Sequence, residues 1–348
     1  MDTFFAGDMP IGIRNDNLVI DENFDRLRGE KVLVTGGAGF IGSHLVRKLA
    51  QIGAEVKVLD SFDDFYPGKR ANLKRFEEFD NVDLVTGSIL DREVLSGLCN
   101  WSSTVFHEAG QAGIRYCNEH PEKAHRINVE GTLNVLLSCK NQPVKRVVNA
   151  SSSSVYGNIE SLPIGEDDPK RPDSPYAATK LAAEHYCRAF NKAYGIDVVS
   201  LRYFSVYGPS QRPDLVITTF ADQIFRGEIP KVFGDGSHSR DFTFVSDIVD
   251  GTIRAALADD VGGMVFNIGK GERTTVMELL DKLNQLMGTK VEPVHAPEFP
   301  GEFPHTQADI SRARKHLGYD PAISLEDGLG MYLDWFYRSR GQEPPHLG

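Results

Sequence analysis

The stretch over residues 32–42 constrains the fold of this chain more than any other part of its sequence. Three apolar residues, 32–34, predict a buried strand, and Gly36, Gly39 and Gly42 predict a tight turn after it. Beyond the turn, apolar residues recur at helical spacing as far as residue 49. Glycines at these positions let the backbone approach a pyrophosphate, and the N-terminus of the following helix attracts its negative charge. The pattern therefore predicts a dinucleotide-binding strand–turn–helix unit.

A second predicted strand, residues 55–59, ends in Asp60, eighteen residues after Gly42. An acid at this distance can accept hydrogen bonds from both hydroxyls of an adenosine ribose, and its charge repels the 2′-phosphate of NADP. We therefore predict that the cofactor is NAD.

The composition indicates an ordinary globular protein. The chain has 348 residues, of which 41% are hydrophobic and 25% charged, and its net charge of −11 disfavours nucleic-acid binding. Because we find no long apolar run and no signal-peptide core, we predict a cytoplasmic protein that does not bind membranes. Four widely spaced cysteines and the lack of zinc-ligand spacing predict reduced thiols and no metal.

Strand and helix patterns alternate from Lys31 to about residue 204, as in successive βαβ units. The later predicted strands of this region are residues 82–85, Thr104–His107, 146–150 and 198–202. Helices are predicted around residues 121–139 and over Pro175–Tyr194. The order predicts an α/β fold, a Rossmann-type doubly wound parallel sheet with right-handed crossovers and helices on both faces.

The chain divides into three predicted parts. Residues 1–30 are an N-terminal extension, either a flexible arm or an extra edge segment. Residues 31–204 form the NAD-binding Rossmann domain, and residues 205–348 form mainly a smaller C-terminal substrate-binding lobe. The chain returns to the main domain around residues 242–268. The elements predicted after residue 204 are a strand and helix over 242–256, a strand over Val265–Ile268, and helices over 277–287, Ser311–Leu317 and 325–337.

Tyr176 and Lys180 stand four residues apart at the start of the long helix, so their side chains share a face. An ammonium beside a phenol favours the phenolate, which makes a general base. The strand over residues 146–150 ends in four serines, 151–154, at the sheet edge where doubly wound folds bind ligands. A serine hydroxyl there can bond the same substrate oxygen as the tyrosine, and we predict a catalytic site from these residues. The histidines, His107 and His305 among them, are predicted to be packing or surface residues.

Several segments resemble the extended short-chain dehydrogenase/reductases that act on nucleotide sugars. They are residues 35–42, 151–157, 176–180, 201–204, 234–242 and 267–269, and the resemblance spans about residues 31–337. It implies that Ser152 is the catalytic serine beside Tyr176 and Lys180, and that Lys180 also binds the nicotinamide ribose. The cofactor-binding residues that it implies are Gly36, Gly39, Phe40, Ile41, Gly42, Asp60, Ser88, Ile89, Asn128, Tyr176, Lys180 and Tyr203.

The resemblance also indicates the reaction. Dehydratases and decarboxylases of this type carry an acid just before a Val-Tyr-Gly segment, where this chain has Ser153 and Ser154. Without that acid, the chain looks like a 4-epimerase: Tyr176 takes the O4′ proton while C4 passes hydride to NAD. The 4-keto sugar then turns, and the hydride returns to its other face.

The substrate is a UDP-hexose by the same resemblance. Residues 63–66, 111–116 and 206–214 look most like UDP-glucuronate 4-epimerases, in which the positions of Ser205 and Arg212 lie near the hexuronate and suit a carboxylate. The lobe also resembles epimerases of UDP-glucose and UDP-N-acetylglucosamine, and Thr306 matches the position whose size decides whether an N-acetyl group fits. Arg240 would bind the diphosphate and Phe233 would lie beside the base. The implied substrate-binding residues are Ser152, Ser153, Tyr176, Ser205, Arg212, Leu215, Phe233, Arg240, Glu302 and Thr306.

Two positions depart from the family pattern. Phe299 stands where many relatives have a diphosphate-binding arginine, and Ser88 stands where an acid usually meets the adenine. We predict an NAD-dependent UDP-sugar 4-epimerase that converts UDP-glucuronate to UDP-galacturonate. The alternatives are a UDP-glucose or UDP-N-acetylglucosamine 4-epimerase, a nucleotide-sugar dehydratase or decarboxylase, and a non-catalytic NAD-binding protein. The resemblance also implies a homodimer that uses the helices near residues 121–139 and 175–194.

Overall fold

The structure is a computed structural model. It describes residues 21–66, 68–159, 161–297 and 304–345. The strands are β1 (Lys31–Thr35), β2 (Glu55–Asp60), β3 (Val82–Thr86), β4 (Thr104–His107), β5 (Arg146–Ser152), β6 (Val198–Tyr203), β7 (Ser205–Tyr207), β8 (Lys231–Phe233), β9 (Ser239–Arg240), β10 (Phe242–Phe244), β11 (Val265–Ile268), β12 (Thr274–Thr275) and β13 (Val294–Ala296).

The helices are α1 (Phe40–Ile52), α2 (Lys69–Asn72), α3 (Arg92–Trp101), α4 (Ile114–Glu119), α5 (Pro121–His125), α6 (Gly131–Cys139), α7 (Pro175–Tyr194), α8 (Val216–Phe225), α9 (Val245–Leu257), α10 (Val276–Met287), α11 (Ser311–Leu317) and α12 (Leu325–Arg338). A π-helical turn, Arg126–Glu130, joins α5 to α6, so the helix predicted around residues 121–139 is continuous but locally wider. Short 3-10 turns cover Glu22–Leu27, Leu73–Arg75 and Ser153–Tyr156. None of the helices in the described ranges is long and apolar enough to span a membrane.

Seven parallel strands form the central sheet, in the order β11-β6-β5-β4-β1-β2-β3. The strands at its centre are buried on both faces, so apolar residues occupy consecutive positions in them rather than alternate ones, although β6 also buries Ser200 and Arg202. Helices α1 and α9 pack on one face, and α3, α6 and α7 pack on the other. The prediction of a doubly wound Rossmann-type sheet is confirmed.

The chain leaves this sheet after β6 and returns to it at β11, which pairs in parallel with β6. Between them, β7 and β10 pair in a two-stranded sheet beside the main one. A separate apolar core joins α8, α10 and α12 through buried residues such as Phe220, Leu280 and Phe336. The lobe therefore has its own core, while α9 packs against α1 of the Rossmann part.

The N-terminal extension is described from residue 21 onward, and residues 1–20 lie outside the described part of the chain. Its 3-10 turn buries Phe24 and Leu27 in the main core. The Arg254 side chain of α9 donates to Asp21 at 2.6 Å, which fastens the segment to that helix. The described part of the extension is thus neither a free arm nor an edge strand, because two apolar side chains anchor it.

Candidate active site

The glycine turn between β1 and α1 has no room for side chains. Gly36 has φ +72°, and a Cβ atom built on it would lie 2.6 Å from the Ala109 nitrogen. A Cβ on Gly42 would lie 2.3 Å from the Gly36 carbonyl oxygen. Gly39 begins α1 with no side-chain cap, so the first N–H groups of that helix remain for an anion. The turn fits a dinucleotide pyrophosphate.

One open cleft lies at the carboxyl edge of the sheet, above this turn. It brings together eight of the expected cofactor residues, which are Gly36, Gly39, Phe40, Ile41, Gly42, Asp60, Ser88 and Ile89. Residues that the sequence analysis did not identify as cofactor-binding also line it, among them Phe65, Lys69, Glu108, Gly110 and Gln111. Glu108, Gly110 and Gln111 come soon after the end of β4, which is the signal by which they could have been found. Phe65 and Lys69 lie farther along the chain from the end of β2, and the sequence gives no such signal for them.

Asp60 is buried, and its carboxylate is already bonded within the protein. It accepts hydrogen bonds from the Ala38 N–H at 3.2 Å, the Phe62 N–H at 2.9 Å and the Lys69 ammonium at 3.1 Å. A carboxylate has about four acceptor sites, so these partners leave about one for a ribose hydroxyl. Sequence reasoning expected bonds to both hydroxyls, and it missed Lys69.

Asn128 lies in the π-helical turn, a feature often found at functional sites. Its side chain accepts from the Gln111 N–H at 2.7 Å and donates to the Gln111 carbonyl at 3.0 Å and to Thr179 at 2.9 Å. Asn128 thus joins the loop after β4 to α7. The Ser88 hydroxyl, in the cleft wall, accepts from the Leu90 N–H at 3.1 Å.

The catalytic residues expected from the sequence come from two neighbouring elements. Ser174 caps α7, with its hydroxyl accepting from the Ala177 N–H at 3.2 Å, and Tyr176 lies in the first turn. Lys180 is buried, and its ammonium donates to the Ala150 carbonyl of β5 at 2.7 Å. This bond holds the lysine two residues from Ser152, the last residue of β5.

Lys180 also reaches the cofactor cleft. A Cβ on Gly110, which lines the cleft, would lie 3.1 Å from the Lys180 Nζ atom and 3.2 Å from Asn128 Oδ1. The ammonium is therefore placed beside the cleft wall, where it can meet a cofactor ribose. The Ser152 hydroxyl accepts from the Ser154 hydroxyl at 3.0 Å, so the serine cluster is ordered by its own hydrogen bonds.

Arg212 lines the same cleft from the loop after β7. Its Nε and Nη2 atoms donate to the two carboxylate oxygens of Asp214, at 2.9 and 2.8 Å. Its guanidinium lies 5.5 Å from the centre of the Phe65 ring. Burial disfavours the charge, but the Asp214 carboxylate and the nearby Tyr176 phenol outweigh it and raise the pKa of Arg212. Arg212 therefore lies within electrostatic reach of the expected base.

The other expected substrate residues lie in the lobe. Thr306 is buried, with its hydroxyl accepting from the Asp241 N–H at 3.3 Å, and Arg240 donates to the Ser239 and Pro304 carbonyls. The ring of Phe233, in β8, lies 5.4 Å from the Arg115 guanidinium of α4, a contact that joins the lobe to the Rossmann part. Ser205 is in β7, and Leu215 precedes α8. Glu302 and Phe299 lie outside the described residues.

Tyr203, expected at the cofactor, is buried with its hydroxyl 2.8 Å from Glu108 and 2.8 Å from Thr252.

His107 is a buried packing residue, bonded to the hydroxyls of Thr35 at 2.8 Å and Thr132 at 3.0 Å. Burial, with the Lys180 charge, lowers the pKa of His107 to about 3, so its ring is neutral. A search of the described residues finds no group of three His, Cys, Asp or Glu side chains suited to a metal ion.

Comparison with known proteins identifies this arrangement. A sequence profile of the NAD dependent epimerase/dehydratase family matches residues 32–269. UDP-glucuronate 4-epimerase 4 of Arabidopsis thaliana is 36% identical over 330 residues, covering 88% of this chain and 75% of its own. UDP-glucose 4-epimerase of Mycolicibacterium smegmatis is 35% identical over 317 residues, covering 90% of this chain and 100% of its own.

Among solved structures, the UDP-glucuronic acid 4-epimerase of Bacillus cereus in complex with UDP-glucuronic acid and NAD matches with a TM-score of 0.84 at 35% identity. The match covers 89% of this chain and 99% of that one. The chain therefore belongs to the NAD-dependent epimerase/dehydratase family, and as a member of its UDP-sugar 4-epimerases it is an NAD-dependent isomerase.

Proposed function

We propose that this enzyme interconverts UDP-glucuronate and UDP-galacturonate by inverting C4 through a 4-keto intermediate. NAD bound in the cleft would supply the hydride acceptor and donor that the inversion at C4 needs. The Gly36 turn and Asp60 would hold the cofactor, and Lys180 would hold its nicotinamide ribose. The remaining steps are proton transfers and substrate binding by side chains of this chain.

Tyr176 takes the proton from O4′ as C4 is oxidised and gives it back after the sugar has turned. Ser152 donates a hydrogen bond to the same oxygen, which orients the hydroxyl and stabilises the ketone. Lys180 follows Tyr176 by one turn of α7, so the two side chains share a face of that helix. The reaction needs a single proton acceptor, because Tyr176 serves in both the oxidation and the reduction at C4.

The serines beside this set favour epimerisation over elimination. Ser153 and Ser154 occupy the positions where a second acid would be needed for dehydration, and Ser154 is bonded to Ser152 at 3.0 Å. A hydroxyl does not ionise near neutral pH, so it cannot take a C5 proton. The 4-keto sugar is therefore left to turn and be reduced.

The observation that carries the hexuronate proposal is the position of Arg212. The Arg212 charge and the Tyr176 phenol act on each other. C4 of the sugar would react at Tyr176, and the neighbouring atom C5 bears the carboxylate of a hexuronate. A guanidinium near Tyr176 is therefore well placed to bind that carboxylate. Its two bonds to Asp214 use Nε and Nη2, so the hydrogens on Nη1 point elsewhere.

A carboxylate β to a ketone loses CO₂ readily, so the enzyme must also suppress decarboxylation. A carboxylate held in the sugar plane by Arg212 and Ser205 keeps its C–C bond poorly aligned with the carbonyl π-system. The expected product is UDP-galacturonate with little UDP-pentose.

One observation favours a second candidate, a UDP-glucose 4-epimerase. Asp214 already pairs with Arg212 at 2.8 Å, and this local negative charge weakens the attraction for a substrate carboxylate. A neutral hexose carries no charge that Asp214 could repel.

Parallel assays with UDP-glucuronate, UDP-glucose and UDP-N-acetylglucosamine test the proposal. Arg212→Ala should lower kcat/KM for UDP-glucuronate far more than for UDP-glucose, because only the first loses a charge-assisted bond of about 1.5–3 kcal/mol. Arg226→Ala is the matched control, since Arg226 makes a similar pair with Asp222 at 2.9 Å on α8. Equal losses on both substrates would assign Arg212 to the diphosphate, and no turnover of UDP-glucuronate would exclude the hexuronate.

A further inference from the structure

Glu108 directly follows β4 and is one of the residues that line the cofactor cleft. Its Oε1 atom lies 2.8 Å from the hydroxyl of Tyr203, the last residue of β6. Because β5 lies between β4 and β6, the Glu108 side chain crosses one strand to make this contact. The reaction proposed above makes no use of this carboxyl group.

The contact is the first of three in a row. The Tyr203 hydroxyl lies 2.8 Å from the hydroxyl oxygen of Thr252, on α9. That oxygen in turn lies 2.7 Å from the carbonyl oxygen of Ile248, one helical turn earlier. All three distances are those of O–H···O hydrogen bonds. The row ends on a carbonyl oxygen, which can only accept.

A count of hydrogen atoms decides the state of Glu108. Each contact needs one hydrogen between its two oxygens, and the hydroxyls of Tyr203 and Thr252 supply one each. Because Thr252 donates to Ile248, Tyr203 must donate to Thr252. The contact between Tyr203 and Glu108 then needs a hydrogen from Glu108 itself. An ionised carboxylate has none, so the row is complete only with a carboxylic acid.

The surroundings of Glu108 agree with this count. Burial raises the pKa of Glu108 to about 7; in the ionised form a hydrogen bond donated by Tyr203 to the carboxylate, and the Lys180 charge, act in the opposite direction. Among the described residues, the titratable side chains that act on Glu108 are those of Tyr203 in β6 and Lys180 in α7, while α9 contributes the uncharged Thr252. Burial also raises the pKa of Tyr203 well above its usual value, so the phenol keeps its hydrogen. His107, beside Glu108 in sequence, is bonded to Thr132 instead.

We propose that Glu108 is held as a neutral carboxylic acid in the cofactor cleft, and that the affinity for NAD falls as this group ionises. The cleft receives the two negative phosphates of the dinucleotide, and β4 lies beside β1, whose glycine turn approaches them. A neutral acid adds no repulsion there, whereas a carboxylate does. The proposal concerns the cofactor alone, so it does not depend on which UDP-hexose is the substrate.

Infrared difference spectra of the full chain, wild type minus Glu108→Gln, test the protonation directly. At about pH 6 we expect the carbonyl stretch of a protonated carboxyl group, which the variant lacks. The Kd for NAD⁺, measured by calorimetry between about pH 6 and pH 9, should be constant up to about pH 7 and then rise by as much as about tenfold per unit. In Glu108→Gln, which keeps an uncharged hydrogen donor, the Kd should not change over this range.

A second pair of variants tests the hydrogen count. Thr252→Val removes the group that takes the Tyr203 hydrogen, so Tyr203 can donate to a Glu108 carboxylate and the midpoint should move to lower pH by about one unit. Thr252→Ser keeps the hydroxyl and should keep the wild-type midpoint. Carboxylate bands alone at pH 6, or a pH dependence of the Kd that Glu108→Gln shares with wild type, would overturn the proposal.

Discussion

The buried ion pair between β6 and α7 makes one substitution especially informative. Arg202 donates from Nε and Nη2 to the two oxygens of Glu184, at 2.9 and 2.7 Å, and the two side chains are 3% and 5% exposed. The Nη1 atom donates to the Tyr156 hydroxyl at 2.8 Å and to the Glu166 carbonyl at 3.1 Å. Arg202 thus satisfies acceptors from three parts of the chain.

Arg202→Met keeps much of the apolar length of the side chain and removes all four of these hydrogen bonds. Glu184 is then a buried charge that keeps the hydrogen bond donated by the Ser151 hydroxyl. Removing one member of a buried pair costs about 3–5 kcal/mol, because the other charge stays desolvated. We expect a loss of that size in the free energy of unfolding, measured by urea denaturation.

Two further variants make the reasoning refutable. The double variant Arg202→Met, Glu184→Met should be more stable than the single one, because it leaves no unpaired charge. Arg226→Met breaks a partly exposed pair at the end of α8, whose Asp222 keeps a contact with Arg340, so it should cost no more than about 1 kcal/mol. If Arg202→Met also costs less than about 1 kcal/mol, the pair is not desolvated as its burial implies, and the explanation fails.

Three other predictions concern catalysis, acid stability and assembly. Tyr176→Phe should lower turnover by about 10²–10⁴ and leave NAD binding intact, and residual activity above about a hundredth of wild type counts against Tyr176 as the base. Since the pKa of His107 is lowered to about 3 from 6.5, its contribution to stability is present above pH 6.5 and declines below it by about 1.4 kcal/mol per unit. Urea unfolding of His107→Gln at two pH values should lack that decline. The exposed Tyr186 and Tyr194 of α7 support a homodimer, which a monomeric mass by light scattering at micromolar concentration would disprove.

Much of the site could be predicted because it depends on residue types and spacings that are local in the sequence. Gly36 and Gly42 are required where a Cβ would strike backbone atoms, and that requirement is local. Tyr176 and Lys180 are one helical turn apart, so the sequence spacing alone places them on one face. The ends of the apolar strands likewise predicted where the cleft would lie, because parallel strands end at one edge of the sheet.

The contacts that escaped prediction depend on how loops fold. The pairing of Arg212 with Asp214 is local, but its approach to Tyr176 depends on how the loop after β7 folds over α7. Lys69 reaches Asp60 only because the segment after β2 turns back to the strand end. The hydrophobic periodicity of the sequence does not predict such contacts.

The sequence by itself determined the doubly wound sheet, the dinucleotide turn and the placement of Tyr176 and Lys180 on one helix, because each depends on strand burial, a tight turn or helical spacing within a few neighbouring residues. The tertiary structure alone decided which side chains share the cleft and which charges they carry. In the sequence, nothing distinguishes Glu108 from the other acidic residues. Its row of contacts through Tyr203 to Thr252 exists only because β4, β6 and α9 pack together, and that packing, by burial and by the count of hydrogens, fixes its proton.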